Sequence, residues 1–269
     1  MKKIKVECPA KINLTLKILN KRDDGFHNID SEMQTINLFD YLTVEIDYSK
    51  TINIELSGNT TEIPYDSKNL VYKAAELFFS KTNLTANVKC FIDKNIPIAA
   101  GLAGGSTDAA GMLFALNKLF NEPLSEHELH EHCAQLGSDL NVCLQGGLLQ
   151  CEGRGEKITP LPFKEFELHL IKPMALGISA KEAYNAYSQK IKNSYDINTK
   201  NTFMNDLEWA IIDQHKELQY IKSKYPHSYM TGSGSTYFSL AHPFEHESDF
   251  WVANNLQTIG YGVREVKIY

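Results

Sequence analysis

Apolar and polar residues alternate with a period of two through the N-terminal segment: Ile4, Val6 and Cys8, then Ile12, Leu14, Leu16 and Ile18, then Met33, Ile36 and Leu38. Such alternation predicts antiparallel strands with one buried face, and Asp23, Asp24 and Gly25 mark a turn between them. After Pro64 the period lengthens. Leu70, Val71, Ala74, Ala75, Leu77 and Phe78 predict a helix, with Ser67 as its cap. A strand over Val88–Ile92 follows. Ala109, Ala110, Met112, Leu113, Leu116, Leu119 and Phe120 then repeat at helical spacing, with Ser106, Thr107 and Asp108 suited to the cap and first turn. A further helix over Glu126–Leu136 stops at Gly137, and a strand follows at Gly147–Cys151.

Around Pro160 and Pro162 the pattern restarts. It predicts a strand at Glu167–Lys172, helices at Ser179–Lys190, Asn205–Ile212 and Lys216–Lys224, and a last strand at Val263–Ile268. Tyr229–Leu240 is interrupted by Thr231, Gly232, Ser233, Gly234 and Ser235, and only Lys190–Lys200 has linker character. Strands and helices in both halves give an α+β class. At 269 residues a chain commonly divides in two, so we expect domains at 1–158 and 159–269.

Charge narrows the partners. A net charge of −6 and a pI near 5.9 exclude the basic stripe that a nucleic-acid surface needs. No apolar run reaches membrane-spanning length, and the opening Met-Lys-Lys leads into an alternating strand rather than a signal core. Cys8, Cys90, Cys133, Cys143 and Cys151 are odd in number and lack a C-x-x-C pair, as expected of reduced thiols in a cytoplasmic protein. His127–His132 imitates a zinc helix, but the fourth position after His127 is Glu131, so the ligand spacing fails and no protein-held metal is expected.

The chemistry concentrates in Pro97–Ala110, PIAAGLAGGSTDAA, a glycine-rich loop running into a helix. Glycines let backbone N–H groups converge on an anion, and a helix N-terminus adds partial positive charge there. Gly105 is followed by Ser106 with no lysine, which excludes a Walker A loop, and the spacing of Gly101, Gly104 and Gly105 excludes a dinucleotide fingerprint. A turn that merely caps a buried helix is the alternative. Elsewhere, alternation places Lys11, Asn13 and Thr15 opposite Ile12, Leu14 and Leu16, either toward solvent or in a site. Asp139 follows a helix end in an apolar segment. It serves either as the cap of a short turn at Leu140 or as a base, which would need a cation such as Lys11. Thr231–Ser235 reads as a turn or as a nest approaching a phosphate or the first loop.

Pro9-Ala10-Lys11-Ile12-Asn13, Pro97–Ala110 and Thr231–Ser235 together, in this order, resemble the GHMP kinase superfamily. The resemblance implies a ribosomal S5 domain 2-like N-terminal domain and a ferredoxin-like C-terminal domain, with the active site in the cleft between them. Asp24-Gly25-Phe26-His27 and Gly137-Ser138-Asp139 resemble the branch that phosphorylates the 2-hydroxyl of CDP-methylerythritol in the non-mevalonate isoprenoid pathway. On that resemblance Asp139 takes the hydroxyl proton and Lys11 holds hydroxyl and carboxylate. ATP, with Mg²⁺ bridging its phosphates, lies against Pro97, Ala100, Gly101, Leu102, Ala103, Gly104, Gly105, Ser106 and Thr107, near Asn69 and Lys94. The small-molecule substrate meets Asn13, Phe26, His27, Tyr184, Gly232 and Ser233, with cytosine stacked on Phe26 and Tyr184. A homodimer is left open. Ala103, Phe26 and Asn141 depart from the commonest residues of the branch, where glycine, tyrosine and proline are frequent, and none removes a catalytic group. Two alternatives remain: another small-molecule kinase of the superfamily, for homoserine, mevalonate or a sugar, and a non-catalytic ligand sensor.

Overall fold

The computed structural model describes residues 1–193, 200 and 204–266. Two sheets organise it. The first is ordered β12-β1-β3-β5-β4, from β1 (Lys2–Asn13), β3 (His27–Tyr48), β4 (Asn53–Gly58), β5 (Ala86–Asp93) and β12 (Arg264–Glu265). β2 (Lys17–Lys21) and β6 (Leu148–Glu152) also pair with β3, and β7 (Lys157–Pro160) pairs with β6. The second sheet is ordered β11-β8-β10-β9, from β8 (Glu167–Pro173), β9 (Tyr229–Met230), β10 (Tyr237–Ser239) and β11 (Phe250–Gln257).

The alternation predicted for the N-terminal strands holds up to Pro9. There the β1–β3 register shifts between Pro9 and Ala10. Proline has no N–H to give the ladder, so a bulge falls naturally at this point and re-aims the residues after it. Beyond the bulge both faces of β1 are buried, with Lys11 and Asn13 each only 2% exposed. Of the two environments left open for this face, the solvated one is thereby excluded.

Against the first sheet pack α1 (Leu70–Thr82), α2 (Gly104–Leu119) and α3 (Glu126–Leu136), joined by the short α4 (Leu140–Gln145). The cap of α1 is Asn69 rather than Ser67: its Oδ1 accepts the Val71 N–H at 2.9 Å. In α3 the Ser125 and Glu128 side chains form a capping box. A second core joins α5 (Ala180–Asn193), α6 (Asp206–Ile211), α7 (Lys216–Lys224) and the second sheet to Ile18, Ile29, Met33 and Leu149 of the first. The linker-like stretch after Asn193 falls largely outside the described residues, as does the end of the predicted last strand.

A third core decides where function can sit. Ala10, Ile12 and Ile36 from the first sheet meet Leu168, Leu170 and Phe238 from the second, and Ile96, Ala100 and Leu102 of the glycine-rich segment fill the space between. Burying a leucine-sized side chain contributes about 1.5–3 kcal/mol. The loop is therefore clamped by its own apolar residues, while its glycines stay at the surface of the clamp.

Candidate active site

The glycine-rich segment enters α2 through left-handed backbone at Ala99, Gly101 and Ala103, with φ of 50°, 75° and 60°. Helix α2 begins at Gly104, earlier than Ser106–Asp108 suggested, and Ala103 at its N-cap makes no side-chain hydrogen bond to it. No side chain competes for the first-turn N–H groups, which therefore remain available to an anion together with the helix dipole. Pro97, Ala100, Gly101, Leu102, Ala103, Gly104, Gly105 and Ser106 line one cleft. Thr107 is buried and does not face it.

The second glycine cluster closes over the first. A Cβ on Gly101 would stand 2.2 Å from the Thr231 carbonyl oxygen, and one on Gly232 would stand 2.7 Å from the Gly101 carbonyl oxygen. Two loops distant in sequence touch through backbone alone, which only glycines permit at these positions. Asn205, which the sequence pattern marks only as the start of a helix, fixes the second loop. Its Nδ2 donates to the Met230 and Gly232 carbonyls at 2.9 and 2.8 Å, while its Oδ1 accepts the Leu207 N–H as the cap of α6.

Below the contact lies Lys11. Its ammonium donates to Asn13 Oδ1 at 2.6 Å and to the Gly101 carbonyl at 3.0 Å, and stands 3.6 Å from Asp139 Oδ2. Asn13 is held in turn: its backbone N–H donates to Thr231 Oγ1 at 2.8 Å and its amide to Ser31 Oγ at 2.8 Å. Asp139 occupies the N-cap position of α4, yet its side chain makes no capping bond. Its carboxylate is not consumed by the helix and faces the cleft beside a buried cation. A carboxylate open to the cleft with a cation beside it is the arrangement that acid–base work on a hydroxyl needs.

At the other end of the cleft stand the aromatic residues. His27 stacks on Tyr184, with ring centroids 5.2 Å apart and planes 18° from parallel, and Tyr187 meets His27 edge-on. Phe26 is half exposed, with the Arg154 guanidinium 4.9 Å from its ring centroid. Burial, and then the nearby Lys21, hold the His27 imidazole below its usual pKa range, so it is neutral near pH 7 with one donor and one acceptor nitrogen. Burial and the Asp139 charge push the Tyr184 phenol up, so it stays protonated. Lys21, Arg154 and Lys181 also line the cleft. They sit on separate elements with no common spacing. Only the glycines flanking Arg154 hinted at an exposed turn.

Asn69 and Lys94 line the cleft near the glycine loop, each already engaged. Asn69 caps α1 and donates to the Pro64 carbonyl at 2.7 Å. Lys94 ion-pairs with Asp40 and Asp108. Gly232 and Ser233 complete the wall, and the cleft encloses about 800 Å³. That volume suits two medium-sized ligands meeting end to end.

The chain is similar to several known proteins. Residues 69–147 match the family described as GHMP kinases N terminal domain. The chain is 40% identical over 257 residues to the 4-diphosphocytidyl-2-C-methyl-D-erythritol kinase of Clostridium tetani, covering 88% of this chain and 90% of that one. To the protein of the same name from Clostridium beijerinckii it is 38% identical over the same shares. Among solved structures, a 4-(cytidine 5'-diphospho)-2C-methyl-D-erythritol kinase superposes with a TM-score of 0.74 at 25% identity, covering 96% of this chain and all of that one. A homoserine kinase from Cytophaga hutchinsonii, at TM-score 0.68 and 15% identity, shares the fold.

Proposed function

Because this chain belongs to the 4-diphosphocytidyl-2-C-methyl-D-erythritol kinase family of GHMP kinases, we propose that it transfers the γ-phosphoryl group of ATP to the 2-hydroxyl of CDP-methylerythritol. Asp139 accepts the hydroxyl proton as the substrate oxygen bonds to the γ-phosphorus. The bond from that phosphorus to the β,γ-bridging oxygen breaks, and ADP leaves. Lys11 fixes the carboxylate and neutralises charge beside the reacting oxygen. Such a transition state asks mostly for positioning and charge neutralisation, which a base, a cation and an N–H cradle supply.

The observation that carries this reading is the 3.6 Å approach of Lys11 Nζ to Asp139 Oδ2, with the carboxylate free of helix capping. Gly101–Ser106 cradle the triphosphate in this reading, with Pro97, Asn69 and Lys94 toward the nucleotide. The cytidine end is taken by Phe26, His27 and Tyr184, and Asn13, Gly232 and Ser233 surround the transferring group. Magnesium arrives on the triphosphate as part of the substrate. We place the domain boundary near 158/159, within β7, which still pairs with β6 of the first sheet, and β12 also returns to that sheet. Among the described residues no helix is long and apolar enough to cross a membrane, and all five cysteines are free and buried. The test is ADP release from purified protein given ATP and CDP-methylerythritol. Inhibition by CMP separates this substrate from homoserine, mevalonate or a sugar.

A further inference from the structure

Beneath the glycine loop lies a buried charge cluster that the transfer step does not use. Lys94, in the turn after β5, ion-pairs with Asp40 within β3 and with Asp108 on α2, the latter at 3.1 Å. The side chains of Asp40, Asp108 and Lys94 are 0%, 3% and 6% exposed. Asp40 is fully served. Its Oδ1 accepts the N–H groups of Asn95 and Ile96 at 2.6 and 2.8 Å, and its Oδ2 accepts Lys94. Three donors, one of them charged, thus meet that carboxylate.

Asp108 is served differently. Lys94 lies against its Oδ2, while its Oδ1 is buried without a hydrogen-bond partner. One ammonium cannot neutralise two buried carboxylates, and an unpaired buried charge is strongly disfavoured. Both carboxylates lie against the same Lys94 ammonium, and a proton on one of them removes the charge that this single cation leaves unbalanced. We propose that Asp108 is held as the neutral acid, so that it positions Lys94 and leaves the Asp40–Lys94–Asp108 group without net charge under the phosphate cradle.

The surroundings agree. Burial first, and Asp40 after it, raise the Asp108 carboxyl well above the usual aspartate range against the opposing pull of Lys94. Burial would lower Lys94, but Asp108 and Asp40 outweigh it and keep the ammonium charged. Cys8 on β1 and Cys90 on β5 also face Asp108. Burial pushes both thiols up, so they add no charge. The link to the cradle is direct, because a Cβ on Gly104 would stand 2.6 Å from Lys94 Nζ. An ionised Asp108, one turn into α2, would oppose a triphosphate at that helix end. This last step rests on the loop being the ATP cradle; the proton on Asp108 does not.

Asp108→Asn tests it, since asparagine reproduces a neutral acid in shape and donates a hydrogen bond. We expect kcat and the KM for ATP within about twofold of the parent near pH 7, and thermal stability equal or higher. Asp40→Asn, which removes the carboxylate that meets three donors, should raise the KM for ATP about tenfold or more. At alkaline pH the KM for ATP should rise in the parent and stay level in Asp108→Asn. Infrared difference spectra of the two proteins at neutral pH should show a protonated-carboxyl C=O band in the parent that Asp108→Asn lacks. Absence of that band in the parent overturns the proposal. So does an Asp108→Asn protein that folds less stably, or loses ATP affinity as Asp40→Asn does. The infrared comparison needs no turnover, so failure of the kinase reading would leave it separately decided.

Discussion

Lys11 Nζ and Asp139 Oδ2 stand 3.6 Å apart, brought together by a bulged strand and by a helix start that leaves its carboxylate uncapped. Neither contributor alone makes a site. The bulge after Pro9 turns Lys11 under the glycine loops, and Asp139 reaches it from the start of α4. Replacing Lys11 with methionine keeps the stem and deletes the charge. Steady-state kinetics should show kcat falling by about 10²-fold or more, with the KM for ATP changed far less. An equal rise in KM with kcat intact would move Lys11 from the transfer step to ATP binding.

Gly101→Ala should damage the cradle out of proportion to its size. Its φ of 75° disfavours any Cβ, and that Cβ would meet the Thr231 carbonyl at 2.2 Å. The two loops must part. Urea unfolding should show a loss of about 1–3 kcal/mol, and the KM for ATP should rise. An unchanged KM would mean that contact between the loops is not needed for nucleotide binding.

Asn205→Ala removes the cap of α6 and strips two buried carbonyls of their donor. A lost cap costs about 1 kcal/mol and each unpaired buried carbonyl about 1–3 kcal/mol, so chemical denaturation should show about 3 kcal/mol or more of lost stability. Asn205→Asp keeps the cap but sets a carboxylate against the Met230 and Gly232 carbonyls, and should be no better. Stability retained in Asn205→Asp would show that the cap, not the loop tether, is the working contact.

The pH dependence of substrate binding should follow His27. Burial and Lys21 lower its pKa, so the neutral ring predominates through neutral pH and protonates only on the acid side of the ordinary histidine value of about 6.5. The KM for the cytidine substrate should therefore be flat near neutrality and worsen in acid. His27→Gln, which cannot titrate, should remove that acid limb. A limb that persists in His27→Gln belongs to another group.

Much of this was legible in the chain. Period-two alternation located β1 and put Lys11 and Asn13 on one face, and the glycine spacing located the cradle. Other features were hidden for physical reasons. The start of α2 was misplaced because Ala103 adopts φ of 60° without a side-chain cap, which no capping pattern announces. The α1 cap was assigned to Ser67 because both Ser67 and Asn69 are capping residue types. Strand β11, Phe250–Gln257, went unread: its apolar residues do not alternate cleanly, and its pairing with β8 shifts between Ala253 and Leu256, where Asn255 has φ of 59°. Asp40, Lys94 and Asp108 come from different elements, so their meeting has no signature in spacing. The same holds for Asn205, whose partners Met230 and Gly232 are brought to it only by the packing of α6 against the second sheet.

The central claim is that Asp139 deprotonates the 2-hydroxyl of CDP-methylerythritol for attack on ATP. The most direct measurement compares the purified protein with Asp139→Asn for ADP release and phosphorylated product, alongside calorimetric binding of ATP and of the cytidine substrate. Asp139→Asn should bind both ligands with near-parental affinity while kcat drops by about 10²- to 10⁴-fold. Product formed by Asp139→Asn at the parental rate would contradict it.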